Sequence, residues 1–68
     1  MNFTHEELVL MMLYNPGTRS GLIEMLQEMR EQLQPDEAEL RGLTDSTLKK
    51  LAAISDADFD RLDLYDAL

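Results

Sequence analysis

Sixty-eight residues without a cysteine allow one domain and leave disulfides out of its stability, and one core of this size rarely yields more than ~3–5 kcal/mol, so close helix packing or weak self-association into a homo-oligomer is expected. An apolar share of 44% is that of a folded chain. Six basic against fourteen acidic side chains, a net charge of −8, set the summed field against phosphate backbones and anionic lipid, so neither nucleic-acid nor membrane binding is expected.

The start, Met1-Asn2-Phe3-Thr4-His5-Glu6-Glu7, lacks the cationic region of a secretory leader, which makes the cytoplasm the expected compartment. Thr4-x-x-Glu7 is a capping box, with the Thr4 hydroxyl placed to accept from the Glu7 amide and the Glu7 carboxylate to accept from the Thr4 amide. Phe3 before the cap and Leu8 inside it form a hydrophobic staple pair. The apolar run that follows, Leu8 to Tyr14, has seven residues where a membrane helix needs ~20, so it reads as core. Asn15-Pro16-Gly17 stops this helix near Tyr14, because the residue before a proline is driven out of α geometry and Gly17 accepts positive φ.

Thr18 or Ser20 can cap a second helix, whose Leu22, Leu26, Met29 and Leu33 recur at the spacing of one face, with Ile23 and Met25 widening the stripe. Pro35-Asp36-Glu37 opens a third helix with a proline suited to the first turn and acids that complement the dipole. Its buried face is expected to carry Leu40, Leu43, Thr47, Leu48, Leu51 and Ile54. Gly42 inside it costs ~1 kcal/mol relative to alanine and points to a close neighbour or a bend before Thr44, with the segment kept as one helix. Ser55 caps a short fourth helix with acids in its first turn, and Ile54 and Phe59 form a second staple pair. Leu62, Leu64 and Tyr65 are placed to bring the tail back onto the bundle. No segment shows the alternation of a strand. The expected architecture is all-α, one domain over 1–68: a small three-helix bundle with a short fourth C-terminal helix, the helices at about 5–14, 19–33, 36–54 and 56–61.

For chemistry the sequence mostly lacks parts. Without cysteine, with one histidine and no glycine-rich phosphate loop, it has no set of residues for a thiol nucleophile, a cysteine-ligated zinc or a nucleotide cradle. His5 reads as an exposed first-turn residue, and Ser20, Ser46 and Ser55 as capping hydroxyls with no positioned base. Asp56-x-Asp58-x-Asp60 begins like a calcium loop, yet Arg61 stands where the turn glycine is needed and Ala67 where the bidentate glutamate belongs. A solvated acidic helix accounts for it. No enzyme activity, metal or cofactor is therefore expected.

Two surface features remain. Met11, Met12, Met25 and Met29 are flexible and polarizable; most are needed as gap fillers in a small core, and whichever of Met11 and Met12 points outward is free to dock a partner. Charge is uneven as well. Residues 36–54 hold four acids and three bases, whereas residues 55–68 hold five aspartates and Arg61, a solubilising end or a docking face for a basic protein.

Phe3-Thr4-x-Glu6-Glu7, Tyr14-Asn15-x-Gly17-Thr18-Arg19, Leu22-Ile23, Thr44-Asp45-Ser46-x-Leu48, Lys50-Leu51 and Ser55-Asp56-Ala57-Asp58-Phe59, taken in that order, resemble the transposon-transfer-assisting proteins, TTRAP. The resemblance spans nearly the whole chain and implies a short helical bacterial protein encoded on conjugative transposons, mobile elements of mainly clostridial Gram-positive hosts, that helps transfer of the element. It implies no catalytic residues. The residues themselves suggest a factor that binds another protein, which the resemblance would place in the transfer or mobilisation machinery, through Met11 or Met12, Tyr14, Asn15 and Arg19, with Asp56, Asp58 and Asp60 as an acidic rim. The alternative for the Tyr14–Arg19 stretch is a purely structural turn. A second functional reading is an acidic regulator that antagonises a DNA-binding protein by mimicking phosphate charge. Direct DNA reading by a helix-turn-helix is opposed by Glu24, Glu28 and Glu31.

Overall fold

A computed structural model describes residues 3–62. It contains four helices, α1 (His5–Tyr14), α2 (Arg19–Glu31), α3 (Ala38–Ala53) and α4 (Asp56–Arg61), and no strand among the described residues. The first three pack on one another, with α3 lying against both α1 and α2. The all-α bundle with a short fourth helix is thus the observed architecture. Leu64 and Tyr65, expected to return onto the bundle, lie outside the described residues.

The caps fix where each helix begins. Both halves of the Thr4–Glu7 capping box form, the Glu7 amide donating to Thr4 Oγ1 at 3.1 Å and the Thr4 amide to Glu7 Oε1 at 2.7 Å. At the exit Asn15 Oδ1 accepts from the Gly17 amide at 2.9 Å, and Gly17 takes φ +109, a conformation that side chains disfavour. Of the two candidate caps for α2 it is Thr18 that accepts from the Gly21 amide, at 3.1 Å, while Ser20 lies within the helix. A Cβ on Gly21 would sit 2.8 Å from both Pro16 Cγ and Thr18 Oγ1, so the glycine lets the turn fold tightly onto the helix start. Ser55 caps α4 through the Asp58 amide at 3.0 Å.

Two boundaries differ by two residues from those expected, and α3 also ends one residue early, at Ala53. Helix α2 ends at Glu31 rather than Leu33, since the Gln32 and Leu33 amides turn back to Met29 and Arg30 carbonyls in a tightened last turn. Helix α3 begins at Ala38 rather than Asp36, because Glu37 closes a turn on Gln34 instead of entering the helix. Its amide donates to the Gln34 carbonyl, and its carboxylate accepts from the Gln34 amide at 3.0 Å. The third helix then runs unbroken through Gly42, which is exposed with no side chain or backbone near its missing Cβ. No close neighbour explains this residue.

The core joins Leu10 and Met11 of α1 to Leu22 and Leu26 of α2 and Leu51 of α3, with Ile54 and Phe59 closing the end under α4. Thr44 and Thr47 complete the buried face of α3, while Leu40, Leu43 and Leu48 are only half-buried. Their hydroxyls are satisfied inside the helix, donating to the Leu40 and Leu43 carbonyls at 2.8 Å each.

Candidate functional site

The most heavily bonded carboxylate among the described residues is that of Glu7, a residue 1% exposed. Besides the Thr4 amide it accepts from Lys50 Nζ on Oε1 and from Ser46 Oγ on Oε2, both at 2.6 Å. Lys50 also stands 5.8 Å from the centre of the Phe3 ring, so the α1 entry and the last turns of α3 share one cation. Burial alone would raise the Glu7 pKa, but donation from Lys50, Ser46 and Thr4, helped by the Lys50 charge, outweighs it and lowers the pKa to about 2. A carboxylate held that low is a poor general base near neutrality. Ser46, read from sequence as a capping residue, is instead this internal donor from within α3.

A second charged contact occupies the α1–α2 turn. Arg19 Nε meets Asp56 Oδ1 at 2.8 Å, and Arg19 Nη1 donates to the Leu51 carbonyl at 2.9 Å. The guanidinium thus ties the start of α2 to the end of α3 and the start of α4. Gly17, Arg19, Ser20, Asp56, Phe59 and Asp60 line an open depression of ≈ 410 Å³ around it. At the other end of α2 Arg30 pairs with Asp45, which raises the Arg30 pKa.

The residues proposed from sequence for partner contact are thus distributed as follows. Arg19 and Asp56 come together, with Asp60 lining the same depression, whereas Asp58 faces a separate one beside Phe3 and Arg61. Because these aspartates lie on a helix and not in a loop, they do not converge. Tyr14 is half-buried against the core, and Asn15 spends its carbonyl on the turn. Met11 has no exposed surface and Met12 is half-buried against the core, so neither is the outward residue expected of the pair. That place is taken by Leu13, 73% exposed, with Met25 at 41% the other large exposed apolar side chain.

Leu13 borders a groove of ≈ 320 Å³ between α1 and the first half of α3, floored by Val9, Leu10, Leu40 and Leu43 and edged by His5 and Glu6. A neighbouring depression shares Glu6, Leu40 and Leu43 and adds Glu39. Sequence reasoning missed this groove. Its signal was the run from Leu8 to Tyr14, which wraps apolar residues round the whole helix when one face suffices for a core.

A family model described as "Putative transposon-transfer assisting protein", TTRAP, matches residues 3–66. The chain belongs to the TTRAP family. Neither a curated protein nor a solved structure matches it. The match takes in every helix of this TTRAP protein, the Glu7 network and the α1–α3 groove. No helix among the described residues of the TTRAP chain is long and apolar enough to cross a membrane.

Proposed function

We propose that this protein is a non-catalytic, cytoplasmic accessory factor of conjugative-transposon transfer that acts by binding another protein of the transfer or mobilisation machinery. Family membership supplies the transfer context. The observation that carries the binding reading is Leu13, a large apolar side chain left 73% exposed beside a groove floored by other apolar side chains. The ion pairs among the described residues, Glu7 with Lys50, Arg19 with Asp56 and Arg30 with Asp45, act as ties between helices, which leaves the apolar groove as the better candidate for recognition.

The phosphate-mimic reading draws less support. Asp56 is paired with Arg19, and Asp58 and Asp60 line depressions that also hold an arginine, so the described aspartates of α4 are not a row of free negative charge.

The test is deletion of the gene from a conjugative transposon, with transfer frequency measured and restored by complementation, followed by chemical crosslinking of a tagged copy in donor cells. A changed transfer frequency together with an element-encoded protein crosslinked to the tagged chain is the expected result. Unchanged transfer, or a chain that crosslinks to no protein, would end the proposal.

A further inference from the structure

We infer that the groove between α1 and the first half of α3 receives an amphipathic helix from another protein, apolar on the docking face and flanked by Lys and Arg. This rests on the protein-binding reading above and names the partner's chemistry.

The shape follows from the two helices that build the groove. Val9 and Leu13 stand four residues apart on α1, and Leu40 and Leu43 three apart on α3, so each wall is a row of side chains on one helical face. A trough between two such rows accepts the ridge of a third helix whose apolar residues recur every three or four positions. Leu10 lies at the bottom as part of the core, so an occupant would extend the existing hydrophobic cluster.

Charge decides what flanks that ridge. Glu6 and Glu39 edge the groove and its neighbour, and neither depression is lined by a lysine or arginine. The depressions at Arg19, Arg30 and Arg61 are each lined by an acid as well as by their arginine. Three of the six bases are already held in ion pairs elsewhere, with Asp56, Asp45 and Glu7. Glu6 and Glu39 have no ion-pair partner among the described residues, so the apolar groove is edged by carboxylates on a chain of net charge −8, and its complement is cationic. A second copy of the chain is a poor occupant, since it would bring two such rims and two such net charges together.

The inference is tested on the full chain by methyl NMR, titrating three synthetic helical peptides: one with leucines at the helical spacing and lysine flanks, one with the same leucines and glutamate flanks, and a scramble of the first. The lysine-flanked peptide should shift the methyls of Val9, Leu13, Leu40 and Leu43, and should bind at least about tenfold more tightly than the other two. Leu13→Asp should weaken it about tenfold or more, because a docked leucine contact is replaced by a carboxylate at an apolar interface. Since Leu13 is largely exposed, helix content by circular dichroism should not change. The double variant E6K/E39K should reverse the preference toward the glutamate-flanked peptide. Equal binding of all three peptides, shifts confined to the Arg19–Asp56 side, or no binding would overturn the inference. So would concentration-dependent shifts of the same methyls without peptide, which would make the occupant a second copy. In donor cells, if Leu13→Asp captures the transfer protein as well as the parent chain does, the groove assignment falls and the protein-binding reading stands. A parent chain that captures nothing removes both.

Discussion

The Glu7 carboxylate and the Lys50 ammonium meet at 2.6 Å across 43 positions of sequence, and the same carboxylate oxygen also closes the capping box on Thr4. One side chain thereby starts α1 and fastens it to α3. Replacing Glu7 by alanine keeps the Thr4 hydroxyl cap but removes the acceptor of the Thr4 amide, a bond worth about 1 kcal/mol, and leaves Lys50 and Ser46 without their acceptor. With Lys50 still a quarter exposed, the total loss should be about 2–3 kcal/mol, a large part of what a chain this small has. Lys50→Met should cost at least as much, because it leaves the buried Glu7 carboxylate with its Thr4 and Ser46 donors but without its counter-charge. Urea denaturation followed by circular dichroism ranks the two variants; a clearly smaller loss for Lys50→Met would contradict this.

Acid should act through the same group. The folded-state pKa of Glu7 is about 2, below its ordinary 4.5, so its contribution is present above about pH 4.5 and is lost as pH falls toward 2. A shift of this size corresponds to about 3 kcal/mol. The other carboxylates also titrate on the way down, so the informative quantity is the difference between the parent chain and Glu7→Gln. Their stabilities should converge as pH falls from about 5 to 2, and parallel curves would refute the assignment.

Thr4-x-x-Glu7 announced itself because a capping box is local, and so did Asn15-Pro16-Gly17, Thr18 and Ser55. The contacts from Ser46 and Lys50 to Glu7 were not legible, since nothing in residues so distant in sequence says that α1 and α3 will align them. The phase of α1 was hidden for another reason. Every residue from Leu8 to Tyr14 is apolar, so the pattern gave no sign that Met11 turns inward and Leu13 outward. At Glu37, helix propensity and acid placement favoured an earlier start for α3, and the turn on Gln34 prevailed.

The two helical glycines should respond in opposite directions to alanine. At Gly42, exposed inside α3 with open space where a Cβ would go, alanine should stabilise by about 0.5–1 kcal/mol. At Gly21 the new Cβ would press on Pro16 and on the Thr18 hydroxyl that caps α2, so stability should fall by about 1 kcal/mol or more. Thermal melts of both variants decide it. A stabilised Gly21→Ala would mean that the turn relaxes without cost.

Arg19 should matter more than Asp56. Its side chain is 22% exposed and serves both the carboxylate and the Leu51 carbonyl, whereas Asp56 is 77% exposed and serves only Arg19. Arg19→Ala should cost about 1–2 kcal/mol and Asp56→Asn less than about 1 kcal/mol. Equal losses in chemical denaturation would mean that the carbonyl contact contributes nothing.

Recognition through the α1–α3 groove can be tested directly by photo-crosslinking in donor cells, with a photoreactive amino acid replacing Leu13 in one strain and Asp60 in another. Crosslinks from position 13 to one element-encoded transfer protein, abolished by E6K/E39K and absent from position 60, are the predicted result. Crosslinks to that protein from position 60 alone, or from position 13 only to a second copy of the chain, would contradict it.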